Sequence, residues 1–378
     1  MISAGEASGD RHGAALYREL QRLIPDVRGA GMGGAAMREA GIELCYDSSG
    51  IGVIGLAEIA RHYPEIRRAL RLMQQGVKQR KPDLLICVDY KEFNFRLARA
   101  AKACGVRVLF YVSPQVWAWR PGRVKSYGRI IDHMAVIFPF ELPYYEAYQV
   151  PATYVGHPLA GKVRPSMDRE AARLKLGLPA DRKKPVIGLL PGSRANEIRR
   201  LLPLVMASAR RLAGEFAGAC FLLFQASSVT DEALAGEVSG FEGDLRVIKG
   251  QDYDALQCCD AVITVSGTAT LEVALLGVPM AIVYRLSPIS YGIGRMLVNV
   301  PFIGLPNILA GRSVVREFIQ HEATPDAVAA EITRILNDEN YAHAMREALL
   351  EVRGKLGERN GSVELARLAA DMLKAGES

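Results

Sequence analysis

AVITVSGTATLEVALLGVPMAIVYR, residues 261–285, reads as strand, loop, helix and strand in immediate succession. Residues 261–265 have the length and β-branching of a buried strand, Ser266-Gly267-Thr268 breaks the apolar run, and residues 269–276 suit a helix. Gly277 and Pro279 stop that helix, and a second apolar run follows at 280–284. Such a unit belongs to a parallel sheet, with its small polar loop where the sheet opens a ligand crevice. The loop brings free N–H groups and the positive end of a helix dipole to an anion. Glu272 lies four residues after Thr268 and six after Ser266, whereas a capping box needs its acid three after the cap. Two readings stand: a carboxylate that accepts hydrogen bonds from a ribose diol, or a solvated Glu on an ordinary crossover.

A second loop of the same kind lies upstream. Residues 186–190 form another short apolar run, ending in Pro191-Gly192-Ser193-Arg194 before a helical pattern that begins near Glu197. Gly192 permits close backbone approach, Ser193 offers a hydroxyl, and Arg194 brings a permanent charge on a planar fork matched to phosphate. Taken alone, Arg194 is equally well a surface arginine near a helix start. Two anion loops in one half of the chain imply a diphosphate.

At 378 residues the chain is long for one core, and two domains are expected. Hydrophobic residues at 49% and charged residues at 23% describe a globular protein. The formal charge of +6 allows nucleic acid, anionic lipid or phosphorylated substrates as partners. The excess is local: residues 61–81 hold seven Lys/Arg against one acid, Glu65. The six cysteines show no CxxC pair and no zinc spacing, and several lie in apolar runs, which points to buried thiols in a reducing cytosol. No signal peptide is recognisable, and no stretch reaches the ~18 uninterrupted apolar residues of a membrane span.

From the start, residues 1–4 are too short for a full strand, as if its beginning were missing, yet Gly5-Glu6-Ala7-Ser8-Gly9-Asp10 behaves like the loop after one. A helix is expected over about 12–24, with Glu6, Ser8 and Asp10 capping its mouth or serving a site there. Short strands at 28–30 and 42–46 follow, with a small helix between. Pro64 suits the first turn of a helix reaching Arg80, with Ile66, Leu70, Met73 and Val77 on one face and Arg67, Arg68, Arg71 and Lys78 around its sides. This helix either covers a sheet or, with the apolar stretch 51–59 before it, meets anionic lipid. Residues 84–88 read as a buried strand with Asp89 at its carboxyl end, either a helix cap or a general base facing the crevice. After a strand at 106–112 come Trp117 and Trp119, the two tryptophans of the chain, which composition alone assigns to packing.

A strand at 134–138 and a helix near Glu141 lead to Gly156-His157-Pro158, where a lone His reads as structural rather than chemical. Residues 161–185 are charged and proline-containing, the expected hinge. The boundaries are therefore 1–160 for a first Rossmann-like domain, 161–185 for the linker, 186–340 for a second, and 341–378 for C-terminal helices. No clean GxGxxG follows a strand with an acid about twenty residues on, which disfavours a dinucleotide oxidoreductase. The tryptophans lie apart from the basic cluster, which disfavours nucleic acid as a partner.

Seven motifs in order are specific enough to carry a resemblance. They are Ala4-Gly5-Glu6-Ala7-Ser8-Gly9-Asp10; Asp89 with Phe93-Asn94; the run from Tyr111 through Ser113-Pro114-Gln115-Val116-Trp117-Ala118-Trp119 to Arg120; Gly156-His157-Pro158; Leu190-Pro191-Gly192-Ser193-Arg194; the run from Ser266 to Glu272; and Leu305-Pro306-Asn307 through Arg312. Together they resemble the lipid-A-disaccharide synthase family, glycosyltransferase family 19, across residues 4–312. The resemblance implies an α/β chain of GT-B architecture, two doubly wound parallel-sheet domains with an interdomain cleft. It also implies an inverting hexosyltransferase that moves 2,3-diacylglucosamine from UDP to the 6-hydroxyl of 2,3-diacylglucosamine 1-phosphate.

In that family Asp89 would be the general base, and Arg194 would stabilise the leaving diphosphate. Gly192, Ser193, Ser266, Gly267, Thr268, Glu272 and Asn307 would bind UDP. Ser8, Trp117 and Trp119 would face the acceptor, while Arg67, Arg68 and Arg71 would meet the inner-leaflet membrane surface. No metal and no cofactor is implied, since this architecture uses helix dipoles and basic groups where others use an ion. A cytoplasmic enzyme, peripheral on the inner membrane, follows from acylated substrates, and the family allows a homodimer with exchanged C-terminal segments. Lys91-Glu92 departs from the family's usual Pro-Asp, which lengthens a second acid. Rival readings are another GT-B enzyme on UDP-N-acetylglucosamine, either the 2-epimerase or the peptidoglycan transferase, and a noncatalytic nucleotide-sugar-binding protein.

Overall fold

Apolar runs of five or six residues, buried on both faces, become the centres of two parallel sheets. The computed structural model describes residues 1–49, 56–119, 122–179, 181, 183–286, 291 and 300–375; the side chains of residues 56–62 and of residue 119 lie outside that description. Two compact units result, Met1–Ala160 with Glu358–Ser378, and Gly161–Gly357.

The first unit carries β1 Ile2–Ala4, β2 Ala30–Gly33, β3 Glu43–Asp47, β4 Leu84–Val88, β5 Arg107–Tyr111, β6 His133–Val136 and β7 Ala152–Tyr154. They lie in the order β3-β2-β1-β4-β5-β6-β7, with every neighbouring pair parallel. The second carries β8 Val186–Leu190, β9 Cys220–Gln225, β10 Asp244–Lys249, β11 Ala261–Val265, β12 Met280–Tyr284 and β13 Arg316–Ile319, in the order β10-β9-β8-β11-β12-β13. Helices between consecutive strands cover such sheets, so the central strands β4, β8, β9 and β11 are buried along their whole length. Each unit reverses its strand order once, between β1 and β4 and between β8 and β11.

The helix Gly361–Lys374 returns to the first unit and lays Leu365, Ala366, Ala369 and Ala370 against the helix Ala7–Leu23. Helices Pro325–Asn337 and Glu339–Leu356 stay with the second unit. Residues 161–185 are also tied to the second unit: Ser166 donates from its amide and hydroxyl to Asp254 at 2.6 and 2.5 Å. Arg169 and Arg173 reach Asp260 at 2.6 and 2.9 Å, and the same carboxylate takes the Val186 amide at 2.8 Å.

Several expected boundaries move. The first helix begins at Ala7, not near residue 12, because the chain turns immediately after β1. Asp10 then lies inside that helix and caps another: its carboxylate accepts the amides of Gly34, Ala36 and Met37 at 2.7, 3.0 and 3.1 Å, satisfying the start of the helix Ala35–Glu39. The first of the two short strands is 30–33 rather than 28–30, where Gly31 passes so close to Ile2 that a Cβ would sit 1.8 Å from the Ile2 carbonyl oxygen. The basic helix runs Leu56–Arg80 and takes Pro64 into its interior; the proline is exposed and removes one rung of the ladder instead of starting it. All six cysteines are free, four of them buried.

Candidate functional site

In an open α/β sheet, ligands lie outside the carboxyl ends of the strands at the point where strand order reverses. Several of the residues singled out by sequence fall at these points in both units. Beside the end of β1 stands Ser8, exposed in the first turn of its helix, and at the end of neighbouring β4 stands Asp89. In the second unit the Gly192-Ser193-Arg194 loop leaves β8, and Ser266-Gly267-Thr268 leaves neighbouring β11.

Asp89 sits on a strained turn. It and Tyr90 adopt left-handed backbone angles, φ 47° and 45°, which non-glycine residues rarely hold, and Val112 at the end of β5 does the same at 69°. The turn is held from beneath by Asn94, fully buried, whose amide donates to the Asp89 carbonyl at 2.7 Å and the Val88 carbonyl at 3.3 Å. Ser3 on β1 donates to the Asn94 oxygen at 2.7 Å, so one asparagine ties the two strands of the reversal to the turn. The Tyr90 ring lies over Gly5, where a Cβ would come within 2.2 Å of it. Tyr90 rather than Asp89 occupies the capping position of the helix Lys91–Ala103, and no side chain caps it. Burial raises the Asp89 carboxyl above its usual range, partly countered by Lys91 and by the Tyr90 amide. A carboxylate raised this way suits a general base. Glu92, the lengthened second acid, is exposed and pairs with Arg123 at 2.5 Å.

The helix of the second unit's first loop begins at Ala195, two residues before the expected start. Gly192, at φ 114°, makes the turn, and Ser193 and Arg194 are exposed. Glu197 accepts both of their amides, at 3.1 and 3.2 Å, and the Arg194 guanidinium at 2.9 Å. The loop's N–H groups therefore converge on a carboxylate, the geometry an anion requires. Ser228 donates to the Ser193 carbonyl at 2.6 Å and fastens the loop from the end of β9.

Glu272 is not a solvated residue. It is 9% exposed, and its Oε1 accepts from Gln251 at 2.8 Å and Tyr253 at 3.3 Å. Burial raises its carboxyl, with the two donors opposing. Gln251 and Tyr253 escaped the sequence reading because they lie 21 and 19 residues away; the available signal was a polar pair just after the apolar run of β10. Ser266 donates its hydroxyl to the Ile303 carbonyl at 2.9 Å, leaving Gly267 and Thr268 exposed at the helix start.

Asn307, expected to bind UDP, has its side chain committed within its own segment in this structure. It is fully buried, its amide donates to the Val315 carbonyl at 2.8 Å and Glu317 at 2.7 Å, and its oxygen accepts from Val314 and Val315 at 2.7 and 2.9 Å. All four of its hydrogen-bonding positions are spent on the segment's own structure. Together with Glu317, which takes the Ile303 and Gly304 amides at 2.9 Å each, it shapes the loop that Ser266 touches.

Trp117 packs edge-on against Phe140 at 5.3 Å. Trp119 ends the helix Val116–Trp119, but its side chain, the Arg120 of its motif and residues 51–55 of the apolar stretch lie outside the described residues. Arg67, Arg68 and Arg71 are exposed, with Tyr63 and Leu72 also exposed on the same helix and Arg67 lying 5.9 Å over the Tyr63 ring. His157 is buried, its Nδ1 accepts the Leu159 amide at 3.1 Å, and burial lowers it to about 3. Its role here is structural. Among the described residues no helix is long and apolar enough to cross a membrane.

A profile of the lipid-A-disaccharide synthetase family matches residues 1–370. The lipid-A-disaccharide synthase of Geobacter sulfurreducens is 49% identical over 373 residues, covering 99% of this chain and 97% of the relative. A solved putative UDP-N-acetylglucosamine 2-epimerase from Listeria monocytogenes aligns with a TM-score of 0.62 at 14% identity, over 100% of this chain and 96% of the other. A calicheamicin glycosyltransferase aligns at 0.61 and 15%, over 99% and 98%. At such identities these two likenesses speak for the fold, two Rossmann-like parallel-sheet domains of the GT-B type.

Proposed function

We propose a residue-level mechanism from the premise that the chain belongs to the lipid-A-disaccharide synthase family and is an enzyme of lipid A disaccharide synthesis. The donor is UDP-2,3-diacylglucosamine and the acceptor 2,3-diacylglucosamine 1-phosphate. Asp89 takes the proton of the acceptor's 6-hydroxyl as that oxygen bonds to the anomeric carbon from the face opposite UDP. The anomeric carbon–oxygen bond breaks and its electron pair leaves on the diphosphate, so the configuration inverts. Arg194, with the amides of the loop at 266–268 and with the Ser193 and Arg194 amides once Glu197 yields them, takes up the charge that develops there, supplying what a metal supplies elsewhere. Glu272, oriented by Gln251 and Tyr253, accepts from the ribose hydroxyls. The observation that carries the base assignment is the half-buried, raised carboxyl of Asp89 on a strained turn at a strand-order reversal.

Ser8 and the tryptophan segment serve the acceptor. The exposed arginines at 67, 68 and 71, beside Tyr63 and Leu72, serve an anionic membrane surface where both acylated substrates reside. On this reading the enzyme works in the cytoplasm at the inner leaflet. Replacing the three arginines by alanine should reduce cosedimentation with anionic vesicles and leave binding to zwitterionic ones unchanged; equal binding of both proteins to anionic vesicles rejects the membrane role. A homodimer, which the family resemblance allows, is tested by sedimentation at several protein concentrations.

The decisive assay supplies both acylated sugars in detergent micelles, with a chelator present, and follows UDP and disaccharide by mass spectrometry. Disaccharide from the wild type and a loss of about 10²–10⁴-fold in Asp89→Ala are expected. UDP binding without product would reject the transferase reading.

A further inference from the structure

Glu141 is 2% exposed and unused by the mechanism above. It closes the turn Pro139–Glu141 after β6, and its carboxyl accepts the Phe138 amide at 3.1 Å. The same carboxyl faces the Ser113 hydroxyl and the Ile137 amide. Ser113 in turn lies 2.7 Å from the Tyr145 hydroxyl. The buried indole Nε1 of Trp117 is turned to this carboxyl as well, without closing a hydrogen bond of normal geometry. Apolar contacts flank the polar cluster: Trp117 packs edge-on against Phe140, Phe140 stacks on Phe138 at 5.3 Å, and Phe138 lies against the His157 ring at 4.9 Å. Ser113 and Trp117 belong to the segment assigned above to the acceptor. One buried carboxyl thus lies beneath both ends of that segment, bonded to the Phe138 amide of a turn whose Phe140 packs on Trp117.

We infer that Glu141 is a positioning residue for the acceptor, a latch that holds the segment Ser113–Trp117 in place and thereby sets acceptor affinity without touching the reacting atoms. The inference rests on the assignment of that segment to the acceptor side. Its direction follows from linkage. Burial raises the Glu141 carboxyl to about 7, against the four donors that oppose the rise. A carboxyl whose ionisation is disfavoured by burial favours, once ionised, any arrangement that gives it water. The neutral form therefore holds the segment shut; the hold weakens as pH rises from the ordinary carboxylate range toward about 7, where the loss is complete. Of the titratable groups nearby, Tyr145, whose hydroxyl burial pushes far above neutrality, lies on Ser113 beside the carboxyl, and His157, held at about 3 with His12 facing it, lies beyond Phe138. Neither changes charge near pH 7.

The test has two readouts. With Trp119→Phe, Trp117 is the single indole left in the chain. Its emission should titrate with a midpoint near neutrality, and Glu141→Gln, a neutral isostere that preserves volume, should abolish that titration. In steady state, the acceptor KM of the wild type should rise by up to about tenfold per pH unit as pH climbs from the ordinary carboxylate range toward neutrality and level off above it, while the donor KM stays level. Glu141→Gln should hold the acceptor KM at its low-pH value throughout, and Glu141→Ala, which orphans the donors, should raise it at every pH. An emission profile identical in wild type and Glu141→Gln overturns the latch. An acceptor KM that ignores both pH and Glu141→Gln in a protein making disaccharide overturns the acceptor role alone. Emission that follows Glu141 in a protein making no disaccharide overturns it through the reading of the reaction.

Discussion

The two sheets share one topology but furnish their strand-order reversals in opposite ways. The first places a single carboxyl, Asp89, half-buried on a strained turn, with Asn94 and Ser3 locked beneath. The second leaves its loops open: Ser193, Arg194, Gly267 and Thr268 are exposed, and Glu197 occupies the amides that an anion would take. A parallel sheet supplies the location, whereas loop chemistry supplies the function. Burial makes a base; exposure of amides and a guanidinium makes a cradle. Glu272 repeats the contrast, since it is raised by burial as Asp89 is but keeps two side-chain donors on one oxygen, the arrangement of a binding group.

If the second unit does more than hold UDP, Arg194→Ala should lower kcat by about 10²–10³-fold, more than it weakens UDP binding, and Arg194→Lys should recover little because a point charge lacks the planar fork. Rapid-mix turnover beside UDP calorimetry separates the two, and equal losses would reduce the second unit to a holder. For the first unit, the raised Asp89 carboxyl must be ionised to act. Turnover under kcat/KM conditions should therefore be full above its raised pKa and fall about tenfold per pH unit below it, with no such limb in UDP binding. A flat acid side would move the base elsewhere. The smallest effect is expected at Glu272→Gln, which should weaken UDP by about 5–20-fold, the worth of a charge-assisted hydrogen bond, and leave 2′-deoxy-UDP almost unaffected. Equal weakening of both nucleotides would remove Glu272 from the ribose.

Legibility in the sequence followed burial. The strands at 84–88, 186–190, 261–265 and 280–284 carry the limits expected of them, because a strand covered on both faces must be apolar along its whole length. Helix starts were less legible. Asp10 reads as the cap of its own helix and instead caps one 24 to 27 residues later, and Pro64 reads as a beginning yet lies inside. Asn307 carries a family motif but spends every polar atom on residues 314–317, a commitment no spacing announces. Asn94 lies on an otherwise apolar helix face five residues after Asp89, which was a signal; its use as a brace needed Ser3, 91 residues away.

Local chemistry along the chain was enough to determine the alternation of strands and helices, the two anion loops, the acid at the end of β4 and the family to which their order belongs, because each depends on residues within one turn or one strand of each other. Tertiary structure alone decided which carboxyls are buried and therefore raised, that Glu272 and Asn94 are gripped by distant side chains, that Asn307 is internal, and that Glu141 lies beneath the tryptophan segment. Desolvation and long-range hydrogen bonds belong to positions in space, and sequence separation does not record them.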